Sequence, residues 1–230
     1  IWNGAAATAL PWSDPANWLG GNVGGDGETV WIDNGGIAVL TNNVALNIFY
    51  PIHGGLTITN GAALSLLPLT SISMADGASL SFAFTLADGL FRMPGSNTIN
   101  LYMGQNGGDA TVSIGGGGAP AVLDVDRDTI LANSSGSVGT LTVGAGAGIY
   151  NSNGWFYAAN NIGAVAQVTV NGGTFGFRTA DKAFAVNANG ARASVTVNGG
   201  LIDATGDFQW SAGTATNVAY GAVTLNGGTV

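Results

Sequence analysis

The hexapeptide VTVNGG occurs at residues 168–173 and again, unchanged, at residues 195–200. Related segments precede and follow these two, and the five copies begin at Val112, Leu141, Val168, Val195 and Val223. Their spacings are 29, 27, 27 and 28 residues. A period of this length that holds over five copies predicts a repeat architecture in which each unit stacks on its neighbours.

Each repeat contains three short apolar segments separated by Gly-rich or Asn-rich corners. In one unit, VTV is followed by the corner NGG, then by TFGF at residues 174–177 and AFAVNAN at residues 183–189. Because like segments recur in the same direction, each should pair in parallel with its equivalent one coil away. The 39 glycines argue against helices. We therefore predict an all-β fold, a single-stranded parallel β-helix (β-solenoid) with three short strands per coil.

The corner residues predict a ladder of stacked side chains. The strand alternation points both valines of VTVNGG inward and the threonine outward. Asparagine tolerates left-handed backbone, and the glycine that follows accepts a positive φ without steric cost. Stacked copies would place asparagine above asparagine, so that their amides can hydrogen-bond along the solenoid axis. The predicted ladder consists of Asn171, Gly172, Asn198, Gly199, Asn226 and Gly227.

The repeat pattern divides the chain into three regions. It is regular over residues 112–230 and irregular over residues 30–111, where strand and corner segments remain recognisable at uneven spacing. Residues 1–29 are rich in tryptophan. Because the end of a solenoid exposes core side chains and unpaired backbone groups, we predict that residues 1–29 form an N-terminal cap.

The tryptophan-rich opening and the NGG corners together resemble bacterial surface proteins with autotransporter-associated β-strand repeats, including types sorted by PEP-CTERM signals. Those proteins begin with a W…W…NW pattern, which Trp2, Trp12, Asn17 and Trp18 fit, and continue with strands punctuated by NGG. The resemblance covers most of the chain. It implies a secreted, right-handed β-helix that serves as a surface stalk, an adhesin or a matrix component.

The charge of the chain excludes some partners. The net charge is −8, with only five Lys and Arg residues in 230. A chain with so few cations lacks the basic surface that nucleic acids and anionic membranes require. No apolar run is long enough to span a bilayer. A weakly charged surface rich in Gly, Asn, Thr and Ala is typical of exported bacterial proteins, so an extracellular or cell-surface location is expected.

The densest acidic cluster is LDVDRD, with Asp124, Asp126 and Asp128. On a continuous strand these carboxylates would share one face at spacings of about 7 Å, which a polysaccharide-cleaving pair can use. The same alternation would bury Arg127, so the strand should end near Asp126. A solvated corner with salt bridges is the main interpretation. A calcium site and a catalytic pair are the alternatives, and no other cofactor is indicated.

Three further residue sets have both a functional and a structural interpretation. His53, the only histidine, has no partners at a catalytic or zinc spacing and is interpreted as a loop residue. An outward hydroxyl column would suggest ice binding if a second rank accompanied it, but exposed strand positions favour threonine in any case. This column contains Thr57, Ser113, Thr142, Thr169, Thr196 and Thr224. A set of aromatic residues could form a sugar-stacking strip but is expected to fill the core. This set contains Trp155, Phe156, Tyr157, Phe184, Phe208 and Trp210.

The sequence as a whole predicts a non-enzymatic extracellular structural protein, either a fibre subunit or an adhesive surface stalk. The last repeat begins a coil that stays open at Val230, and an open strand edge is a template for association. Copies are therefore expected to associate with themselves, head to tail or laterally. The expected assembly residues are Trp2, Trp12, Trp18, Val223, Leu225 and Val230. The alternative is a β-helix protein that binds or cleaves a surface polysaccharide.

Overall fold

The computed structural model shows a β-solenoid of about 7 turns, built from stacked parallel sheets with nearly no helix. The predicted fold class is thereby confirmed. The structure describes residues 1–4, 8–66, 71–94, 99–177, 179, 182–204, 206–209 and 220–230. Two short 3₁₀ helices occur among these residues, at Pro15–Asn17 and Leu19–Gly21.

The described residues form 22 strands. The first eleven are β1 (Ala9–Pro11), β2 (Thr29–Leu40), β3 (Val44–Leu46), β4 (Ile48–Ile58), β5 (Ala63–Leu66), β6 (Ile72–Asp76), β7 (Ser81–Leu86), β8 (Gly89–Met93), β9 (Leu101–Gln105), β10 (Asp109–Ile114) and β11 (Ala121–Val125). The others are β12 (Thr129–Ala132), β13 (Val138–Val143), β14 (Ala147–Asn151), β15 (Phe156–Ala159), β16 (Val165–Val170), β17 (Thr174–Phe177), β18 (Phe184–Asn187), β19 (Arg192–Val197), β20 (Leu201–Asp203), β21 (Phe208–Gln209) and β22 (Tyr220–Leu225).

The strands form three sheets that run along the solenoid. The first sheet has the order β1-β2-β4-β7-β10-β13-β16-β19-β22, the second β3-β5-β8-β11-β14-β17-β20, and the third β6-β9-β12-β15-β18-β21. In the regular part, each coil contributes one strand to each sheet in turn, as β10, β11 and β12 do. This is the three-strand coil that the repeats predict.

The two identical hexapeptides lie directly one above the other. Val168 pairs with Val195, and Thr169 pairs with Thr196. In the first sheet this register continues without a shift from β7 to β22. Regular pairing therefore starts before the regular sequence period. Nearer the N-terminus, the pairing of β2 with β4 shows register shifts on both sides of Asp33.

Aromatic rings stack in the core along the third sheet. The ring centroids of Phe156 and Phe184 are 4.8 Å apart, and those of Phe184 and Phe208 are 5.4 Å apart. Phe175, from the second sheet, meets Phe184 edge to face at 5.4 Å. The prediction that Phe156 and Phe184 fill the core is confirmed by their complete burial. Phe208 is partly buried against the same core.

The core prediction is wrong for Trp155 and Tyr157, which are only partly buried. They precede and follow Phe156, and the alternation of a strand turns them to the outer face when Phe156 points inward. Trp210 lies outside the described residues.

The tryptophans of the first region form a buried cluster. Trp18 packs edge to face against Trp2 at 5.2 Å and against Trp12 at 4.8 Å. Trp12 Nε1 donates to the Gly24 carbonyl oxygen at 2.7 Å, and Trp18 Nε1 donates to the Trp12 carbonyl oxygen at 2.6 Å. These indoles close the N-terminal end of the core from within.

Phe184 contacts three other rings, so its truncation tests the aromatic stack. We expect Phe184→Ala to lower the free energy of unfolding by about 3–5 kcal/mol, because it leaves a cavity in the core. Gln167→Ala, on the exposed face of β16, should change it by no more than about 0.5 kcal/mol. Equilibrium urea unfolding followed by circular dichroism measures both values. A loss for F184A as small as that for Q167A would contradict this packing.

Candidate functional site

The acidic cluster does not form a shared carboxylate site. Strand β11 ends at Val125, which confirms the prediction that the strand stops near Asp126. Asp124 is buried at the end of β11, with Oδ2 3.5 Å from Arg92 Nε in the previous coil. Asp126 and Asp128 lie in the corner that follows.

The two corner carboxylates bind the next coil. Asp126 Oδ1 accepts a hydrogen bond from Asn153 Nδ2, and Asp128 Oδ1 accepts one from the Trp155 backbone N–H, both at 2.8 Å. Within the described part of the chain, no group of three His, Cys, Asp or Glu side chains could hold a metal ion. The structure thus gives the three aspartates the geometry of links between successive coils.

A buried asparagine, which the sequence reading missed, fixes the same corner. Asn151 Nδ2 donates to the Arg127 carbonyl oxygen at 2.6 Å and to Thr129 Oγ1 at 3.0 Å. A Cβ added at Gly154 would lie 2.0 Å from the Arg127 carbonyl carbon. The backbone of residue 154 therefore lies too close to the previous coil for any residue except glycine. No sequence signal separates Asn151 from the asparagines at exposed corners.

The NGG corners carry an amide ladder. Asn198 Nδ2 donates to Asn171 Oδ1, and Asn226 Nδ2 donates to Asn198 Oδ1, each at 2.9 Å. The sharp turn is made by the glycines, since Gly172, Gly199 and Gly227 have φ values of 85°, 70° and 91°. The asparagines themselves are not in the left-handed region. Their side chains therefore serve the ladder, and the glycines serve the turn.

The ladder predicts unequal effects of two matched substitutions. Asn198→Ala removes two hydrogen bonds and Asn226→Ala removes one, and each bond contributes about 0.5–1.5 kcal/mol. We expect N198A to lower the free energy of unfolding by about 1–2 kcal/mol and N226A by about half as much. Denaturant titration of the two variants against the parent protein tests this. Equal effects, or none, would mean that the ladder does not stabilise the coils.

The outward hydroxyl column exists and is longer than the sequence indicates. Register places Thr85 between Thr57 and Ser113, and the column continues through Thr142, Thr169, Thr196 and Thr224. The neighbouring outward rank is not uniform. It contains Gly55, Ala83, Thr111, Thr140, Gln167, Ser194 and Ala222. The second hydroxyl rank is therefore interrupted. This favours the interpretation that threonine is present because exposed strand positions prefer it, and not because the face binds ice.

His53 lies within strand β4 and not in a loop as predicted, and its side chain reaches Ser81, the first residue of β7. Its Nδ1 lies 3.2 Å from the Ser81 carbonyl oxygen and 3.3 Å from the Ser81 backbone nitrogen. These contacts link β4 to β7 in the next coil.

Outward aromatic rings occur in two places, on β2 and β4 of the first sheet and on or next to β9 and β15 of the third sheet. Trp31 and Tyr50 stack at 5.0 Å and are 37% and 38% exposed. Tyr50 lies beside β6, the first strand of this sheet. Further along, Tyr102, Ile130 and Tyr157 pair in register, and Trp155 stacks on Tyr157 at 5.7 Å. We call this set the aromatic face: Trp31, Tyr50, Tyr102, Trp155 and Tyr157.

The sequence reading missed three members of the aromatic face, although a signal for them exists. Trp31, Tyr50 and Tyr102 each stand next to a buried apolar residue in a strand, so alternation turns their rings outward. Burial, and secondly the nearby Asp128 carboxylate, raise the pKa of Tyr157 above the usual value of a tyrosine phenol. The phenol of Tyr157 is therefore neutral at physiological pH.

The two ends of the solenoid differ from the prediction in one respect. Leu225 and Val230 are exposed as expected, and Val223 packs partly against the core. Trp2, Trp12 and Trp18 are buried, so their rings lie inside this end of the solenoid and not on its outer surface. They pack against one another, and among the described residues 1–4 and 8–21 the large apolar side chains left exposed are Ile1 and Leu19. The Leu19 backbone N–H donates to the Ile1 carbonyl oxygen at 2.9 Å.

Comparison with known proteins gives no relative. No family model matches the chain, and searches of curated proteins and of solved structures found no match. None of the helices in the described ranges is long and apolar enough to cross a membrane.

Proposed function

We propose that this chain is an extracellular structural protein, a subunit of a fibre or of an adhesive surface stalk. The observation that carries the proposal is the unbroken register of the first sheet from β7 to β22. Such a register makes a stiff rod, about 35 Å long for seven turns of about 4.8 Å each. Asp124, Asp126 and Asp128 bind neighbouring coils, so we do not propose polysaccharide cleavage.

The resemblance to proteins with autotransporter-associated β-strand repeats supports the same function. Its tryptophans are the ones that close the end of the core, and its NGG corners are the ones that form the amide ladder. Both features serve a long stacked rod. We therefore propose a bacterial cell-surface or extracellular location, as that resemblance implies.

At the C-terminal end of the solenoid, one edge of strand β22 has no partner strand in the described part of the first sheet. In the described part of the first sheet, β22 has one neighbour, β19. The Asn226 N–H donates to the Val197 carbonyl oxygen at 2.8 Å. Alternate residues of a parallel strand bond to opposite neighbours, so the backbone of Leu225 faces away from β19. Leu225 also continues the inner column of Val170 and Val197, which are buried, yet it is 53% exposed.

At the N-terminal end, a partner can contact exposed side chains more readily than it can pair with the backbone. The backbone N–H of Trp12 donates to the Val39 carbonyl oxygen at 2.8 Å. By the same alternation, the backbone of Pro11 faces away from β2. Pro11 has no N–H to donate there, and this protects the edge of β1. Leu19, by contrast, is 60% exposed. We therefore propose that copies associate head to tail, with Leu225 and Val230 packing against Leu19 and Ile1.

Substitution of Leu225 tests the tail contact. A lysine on an edge strand discourages strand pairing, and losing a buried leucine costs about 1.5–3 kcal/mol. We expect the parent protein to form filaments in negative-stain electron microscopy. Leu225→Lys should raise the concentration at which they form by about 10–100-fold. Ile162→Lys, at an equally exposed position on the side of the rod, should leave assembly unchanged.

A mixing experiment separates head-to-tail from tail-to-tail association. Leu19→Lys and Leu225→Lys each leave one end intact, so each variant alone should stay monomeric in analytical ultracentrifugation. An equimolar mixture should form dimers, because the intact tail of one variant meets the intact head of the other. Dimers of L19K alone would indicate tail-to-tail pairing and contradict the proposal, as would filaments of L225K at the parent concentration.

A further inference from the structure

We propose that the aromatic face binds an extended, neutral polysaccharide chain laid along the solenoid axis. This inference does not rest on head-to-tail association, because the aromatic face lies on the side of the rod. It gives the outward aromatic rings a function that the stacking of the coils alone does not require.

The spacing of the rings favours a polymer of sugars. Tyr102 and Tyr157 belong to β9 and β15, which are separated by β12 in the third sheet, and β4, which carries Tyr50, contacts β6 at the start of that sheet. Rings on every second coil are about 9.6 Å apart, twice the ladder spacing of about 4.8 Å. An extended β-1,4-linked chain repeats after two sugar units, over a similar length. Successive rings could therefore stack on equivalent sugars of one chain.

The positions between the rings carry no exposed bulky side chain that would obstruct such a chain. Ser73 pairs with Tyr102, and Ile130 lies between Tyr102 and Tyr157 in register. Ser73 is small, and Ile130 is buried although its strand position faces outward. Along this line the outward positions therefore alternate between an aromatic ring and a side chain that is small or covered.

Polar groups beside the rings suit sugar hydroxyls. Asn100 Nδ2 donates to the Tyr102 hydroxyl at 3.0 Å, and Ser73 Oγ donates to Gln105 Oε1 at 2.7 Å. A hollow of about 240 Å³ lies next to Tyr50, lined by Phe49, Tyr50, Ile52, Ser71, Ser73 and Asp76. Sugar sites combine apolar surface with a few such polar groups that fix orientation.

The charges around the face favour a neutral ligand. Asp76 lines the hollow, and Asp128 lies near Tyr157. The chain as a whole carries a net charge of −8. A polyanion such as polygalacturonate would meet like charge, whereas a neutral glycan would not.

Affinity gel electrophoresis tests the proposal, with hydroxyethylcellulose and glycol chitin as neutral probes and polygalacturonate as the anionic probe. The parent protein should be retarded by at least one neutral probe and not by polygalacturonate. Tyr102→Ala and Tyr157→Ala should each weaken binding about fivefold to tenfold, since each removes one stacking ring. Tyr102→Phe and Tyr157→Phe keep the rings and should retain most of the affinity.

Two controls keep the experiment specific. Tyr150→Ala removes a ring from the second sheet and should leave retardation unchanged, and circular dichroism verifies the fold of every variant. Leu225→Lys should bind the glycan as the parent does, so that failure of assembly and failure of binding are distinguishable. No retardation by either neutral probe, equal retardation by polygalacturonate, or full binding by the Y102A/Y157A double variant would overturn the proposal.

Discussion

The structure depends on one interaction, the parallel backbone ladder that joins each strand to its equivalent one coil away. The ladder fixes a spacing of about 4.8 Å and a register, and register decides which side chains meet. When Val168 lies on Val195, the valines must continue the core and Asn171 must lie on Asn198. The phenylalanine stack, the amide ladder and the outward threonines all follow from this alignment.

The same alignment places the side chains of equivalent positions in successive coils on one line, so that single residues together form a continuous surface. An aromatic residue at one outward position stands alone, but at Tyr102 and Tyr157 register places two rings on one line with Ile130 between them. At the ends, the ladder leaves core columns uncovered. Trp2, Trp12 and Trp18 cover them at the head, while Leu225 remains exposed in the described part of the tail. The proposed binding face and the proposed contact between copies both arise from the stacking of coils.

The sequence predicted what repeats and missed what does not. Identical residues at a fixed period are sufficient to predict the strands, the positive φ of the corner glycines and the pairing of Asn171 with Asn198. Its aromatic character predicts a core position for Trp155, but alternation with the buried Phe156 turns the Trp155 ring to the outer face. The tryptophans of the head were expected to face a partner, but indoles that can pack on one another inside are more stable there. Asn151 was missed because its partner, the Arg127 carbonyl, is defined only once the coils are stacked.

X-ray diffraction from oriented fibres of the parent protein tests the central claim most directly, namely that the solenoid is a fibre subunit whose axis becomes the fibre axis. Head-to-tail association of rods predicts a reflection at about 4.8 Å along the fibre axis, because the strands of every copy lie across it. The same reflection at right angles to the fibre axis, or a preparation that yields no orientable fibres at any concentration, would contradict the account.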